Sequence, residues 1–150
     1  MSKPESIAVS LEMAKKLKAA GWPQEDSVFH WQWHEDDGEW PSFSAPSEWS
    51  CYQMEASLDD YDDGDCFAAP SAEEILRRLP EKFTHGEPYC LYAAITFRGH
   101  TLGNGWYVGY RNFAEGKAHP EIDGQDADTL ANAMAKMYCY LADNKLLPSK

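Results

Sequence analysis

Apolar residues recur along this chain first at helical spacing, then in alternation, and each change of period marks a new element. Ile7, Leu11, Ala14 and Leu17 lie on one helical face with Lys15, Lys16 and Lys18 opposite, which predicts a helix from Ser6 to Ala20. Gly21 can take the left-handed cap conformation, Trp22 is placed to fold back on the helix, and Pro23 stops its continuation. In "VFHWQWHEDDGEW" the period becomes two: Phe29, Trp31 and Trp33 alternate with His30, Gln32 and His34. That is a strand with one aromatic face and one polar, solvent-facing side. Asp37-Gly38 is a hairpin signal, so the chain is expected to return through Trp40 as a second strand. Pro41 and Pro46 hold this return to a short, irregular or edge position. The run "SEWSCYQMEASL" fits either an extension of the sheet or an insertion.

The second helix is announced by "APSAEEILRRLP", where Ser71 and Glu74 form a capping box, Ile75, Leu76 and Leu79 form the stripe, and Pro80 ends it. "YCLYAAITF" and "GWYVGYRNF" read as two further strands, joined by a turn in "RGHTLGN". Leu91, Ala93, Ile95 and Phe97 share one face of the first, and Trp106, Val108 and Tyr110 share one face of the second. A third helix is expected from Asp126 or Asp128 to Asp143, striped by Leu130, Met134, Met137 and Leu141, widened by Ala133 and Tyr140, with Asn144 as C-cap. The order helix, hairpin, helix, hairpin, helix predicts an α+β fold: an antiparallel sheet of about four strands with three helices packed on it. Residues 1–150 are read as one domain with an acidic irregular insertion at about 41–66.

Composition agrees with a packed domain. Hydrophobic residues make up 43% and aromatics 13%, including six Trp and eight Tyr, which is too apolar for a disordered chain. No apolar stretch is long enough to span a membrane, and the lysine-interrupted N-terminus does not read as a signal peptide. Cys51, Cys66, Cys90 and Cys139 have no zinc-like spacing, so they read as reduced thiols in a cytosol.

Charge changes the picture more. Between Lys18 and Arg77 there is no Lys or Arg, and residues 19–76 hold fifteen acids; the rest of the chain has ten acids against thirteen bases. One segment therefore carries the excess behind the net charge of −12. A field of that sign repels nucleic acid and anionic membrane and attracts basic protein surfaces. Asp36 and Asp37, with Asp59, Asp60, Asp62, Asp63 and Asp65 in "SLDDYDDGDCF", form the candidate partner-binding surface.

Other chemistry is weak. Placing Gly64 at position six of an EF-hand loop puts Asp59 and Asp63 at ligand positions, but Tyr61 falls at the third and Pro70 at the twelfth, where glutamate is required. His30 and His34 are four residues apart on a strand, about 13 Å at ~3.3 Å per residue, too far to share one metal ion. His85, His100 and His119 fall in predicted loops with no fixed spacing to a ligand. Cys90 and Cys139 read as small core residues, while carboxylates beside Cys51 and Cys66 disfavour a thiolate. "RGHTLGNG" lacks a dinucleotide or Walker pattern. These observations predict no catalytic residue, no metal and no cofactor.

The punctuation "SLEMAKKLKAAGWPQ", "APSAEEILRRLP" and "TLANAMAKMYCYLADNKLL", separated by aromatic strands, resembles a group of small bacteriophage and prophage accessory proteins. The likeness covers the three helices and their order, about half the chain. It implies an accessory protein made in a bacterial cytosol and carries over no catalytic residue. The expectation is a non-enzymatic protein that binds a basic host or phage protein through its acidic segment, inhibition of a nucleic-acid-binding or defence factor being one use of it. A ligand pocket lined by Trp31, Trp33, Trp106 and Tyr110 is the alternative.

Overall fold

The computed structural model describes residues 7–25, 27–34, 48–53, 66–85, 87–98 and 101–147. It divides into two compact units, Met1–Ser71 and Ala72–Lys150. The fold is α+β, with three helices and two antiparallel sheets among the described residues, one of three strands and one of five.

In the first unit, helix α1 spans Leu11–Ala19. It begins later than the apolar spacing predicts because Ser10 takes the N-cap: its backbone is extended and its hydroxyl accepts from the Met13 N–H. Ahead of the cap the chain is already engaged elsewhere, Ala8 bridging Ser71 and the Val9 N–H donating to Pro70 O. Ile7 is consequently exposed, and the buried face is Met13, Ala14 and Leu17. The stop signal forms as read. Gly21 has φ +97°, the Trp22 N–H donates to Leu17 O and the Gly21 N–H to Lys18 O, which closes the helix through a left-handed residue.

Strand β1, Phe29–His34, lies between β2, Glu48–Gln53, and β3, Cys66–Ala68. β1 pairs on one side with Glu48–Gln53, His34 lying opposite Glu48, while the return expected through Trp40 lies outside the described residues. Of the run Ser47–Leu58, the described part, Glu48–Gln53, extends the sheet. Within 41–66, only this strand and Cys66 fall among the described residues.

In the second unit, α2 covers Ala72–Leu76, with Ile75 and Leu79 buried and Leu76 exposed. The sheet runs β4 (Lys82–His85), β5 (Glu87–Arg98), β6 (Thr101–Asn112), β7 (Lys117–Ala118), and β8 (Gln125–Ala127) also pairs with β6. Thr101–Asn104, expected in the turn, belongs to β6: the ladder pairs Arg98 with Thr101 and Phe97 with Leu102, which leaves two positions for the connection. His85, expected in a loop, ends β4 opposite Glu87.

Helix α3, Leu130–Asp143, starts after β8 rather than at Asp126, since Gln125–Ala127 pairs with β6; Thr129 caps it and Asn144 closes it. Its buried set is wider than one stripe, running from Ala131 through Ala135 with Met137, Tyr138 and Leu141, because it packs on α2, β6 and β8. Val108 and Tyr110 are buried as their face predicts, whereas Ala93 and Ile95 are exposed. No described helix is long and apolar enough to cross a membrane.

Tyr110 anchors this second core. Its ring meets Phe83 edge-on at 4.7 Å, and its hydroxyl donates to Pro80 O at 2.7 Å. Burial pushes its phenol well above the ordinary tyrosine range. An unfolded tyrosine loses its proton near pH 10, at which the folded Tyr110 still holds it, so stability is full below about pH 10 and falls above it. Tyr110→Phe should lose about 1–2 kcal/mol in urea unfolding at pH 7, through the unpaired Pro80 carbonyl, and should blunt the alkaline loss of stability. Equal alkaline sensitivity in the two proteins would contradict this assignment.

Candidate functional site

The seven predicted site residues, Asp36, Asp37, Asp59, Asp60, Asp62, Asp63 and Asp65, lie outside the described residues. Their attachment points do not. Antiparallel pairing places His34, the start of β2 at Glu48, and Cys66 opposite Gln32 toward one end of the three-stranded sheet. The chain leaves that end toward Asp36 and Asp37 and re-enters it directly after Asp65. Gln53, from which the chain sets out toward Asp59, pairs with Phe29 at the opposite end.

The charge asymmetry follows the division into units. Met1–Ser71 holds four bases and fifteen acids, a net −11, and Ala72–Lys150 holds nine bases and ten acids, a net −1. Of the four bases, Lys16 forms an exposed i,i+4 pair with Glu12 at 3.4 Å, worth little in water. Lys15 and Lys18 stand over the Phe67 ring at 5.8 and 5.1 Å, two residues beyond Asp65 in sequence. The lysine face of α1 is thus brought to one end of the acidic run. Arg77 is occupied locally, paired with Glu73 one turn earlier.

The scaffold beneath these attachments is held by side chains bonded to backbone. Gln24 accepts from the Ala68 N–H with Oε1 and donates to Trp22 O with Nε2. The Trp22 indole donates to Ser27 Oγ, and the Trp31 indole donates to Val9 O at 2.9 Å. His30, expected to face solvent, is buried at 1% exposure. Its Nε2 donates to Gln24 O at 2.8 Å, and its Nδ1 is buried without a hydrogen-bond partner. The polar face of β1 is polar in composition, but at His30 it is an interior face. His119 is also internal: its Nδ1 accepts from the Glu121 N–H, and its ring packs against Tyr89 at 4.8 Å. Among the described residues no group of three His, Cys, Asp or Glu side chains is placed to hold a metal ion.

The thiols differ from the reading of them. Cys90 is exposed rather than core, because it lies on the sheet face opposite Tyr89, between Lys82 on β4 and Arg111 on β6. Cys66 is buried, and burial raises its thiol pKa while Lys18 partly offsets that rise. The outer face of the second sheet also carries a group that sequence patterning missed. Tyr92 lies 5.7 Å from both Tyr107 and Phe113, with Gly109 between the two tyrosines. Tyr107 itself reaches over Gly124, where any side chain would collide with its hydroxyl. The signal was present in the sequence, since Tyr107 and Gly109 have the opposite parity to Val108 and Tyr110.

Comparison with protein-family models, with curated proteins and with solved structures gives no match for this chain.

Labelling of the folded protein with an uncharged thiol reagent at pH 8 should modify Cys90 first and Cys66 only on unfolding, read by mass spectrometry of the peptides. Rapid native modification of Cys66 would show that the β3 end of the sheet opens far more readily than its burial implies.

Proposed function

We propose that this protein is a non-enzymatic binding protein, of the bacteriophage or prophage accessory kind it resembles, acting in a bacterial cytosol. Its acidic first unit docks on a basic surface of a host or phage protein, such as a nucleic-acid-binding groove. The observation that carries this reading is the confinement of net −11 to Met1–Ser71 while the rest of the chain is nearly neutral. A surface acidic only for solubility would spread both signs over both units. Concentrated in one unit, the charge sets up a directional field that speeds encounter with a cationic partner and disfavours acidic ones. His34 and Cys66, which adjoin the acidic stretches in sequence, lie toward one end of the three-stranded sheet, which supports a contiguous surface. The pocket alternative draws less support. Trp31 and Tyr110 commit their polar atoms to main-chain carbonyls within separate units, as core residues do.

The test is capture from bacterial lysate at low salt, identification of the partner by mass spectrometry, and association kinetics with the purified partner. Wild type should associate at least about tenfold faster at low salt than at high salt. Replacing Asp59, Asp60, Asp62, Asp63 and Asp65 together by Asn should slow association and leave the melting temperature unchanged or higher. If that variant unfolds instead, the carboxylates serve the fold, and the binding role loses its basis.

A further inference from the structure

We draw no further inference here: the strongest candidate, the aromatic patch of Tyr92, Tyr107 and Phe113 on the outer face of the five-stranded sheet, has charges of both signs on the strands around it (Lys82, Arg111 and Asp126), and nothing in the structure shows what covers it.

Discussion

Like-charge repulsion is the constraint against which the first unit is built. Fifteen carboxylates and four bases share 71 residues, and at physiological salt the screening length is about 8 Å, so neighbouring carboxylates along the run repel one another. The offsetting terms are concentrated close to the strands. Val9, Leu17, Trp22, Ala68 and Ala69 are buried together with Met13 and Ala14, and four polar side chains, Gln24, Trp22, Trp31 and His30, tie the loop after α1 and the segment before it to the strands. Bonds of this type are modest individually, but each also relieves a buried polar atom that would otherwise be costly. Lys15 and Lys18 over Phe67 bring positive charge to the point where the acidic run rejoins the sheet.

The second unit works under no such strain. Nearly neutral, it covers one face of a five-stranded sheet with an alanine- and methionine-rich helix, whose small residues allow burial on more than one side. Tyr110, Phe83, Tyr89 and His119 form an edge-to-face aromatic cluster within it. Two further features differ in kind: a face of tyrosines around Gly109, and a β5 edge that beyond Leu91 has no neighbouring strand among the described residues.

The two units therefore have separable chemistry. Electrostatic steering acts at long range and needs no shape complementarity, which suits a strongly acidic segment.

Local chemistry was legible in the sequence. Gly21 and Trp22 ended α1 as read because only a left-handed residue lets both closing bonds form, and Asn144 ended α3 as read. The alternation of Val108 and Tyr110 marked the core face of β6, and the charge segregation was complete in the composition alone. What the sequence could not settle was decided at long range. His30 is interior because β2 and β3 flank β1 and Gln24 supplies a carbonyl, none of which alternation records. The helix capped by Ser10 starts later than the apolar spacing predicts because Ala8 and Val9 are bonded to Ser71 and Pro70, far along the chain. Ala93 and Ile95 carry the same pattern as a buried strand and yet face solvent, since period two shows which residues share a face but not whether another element covers it.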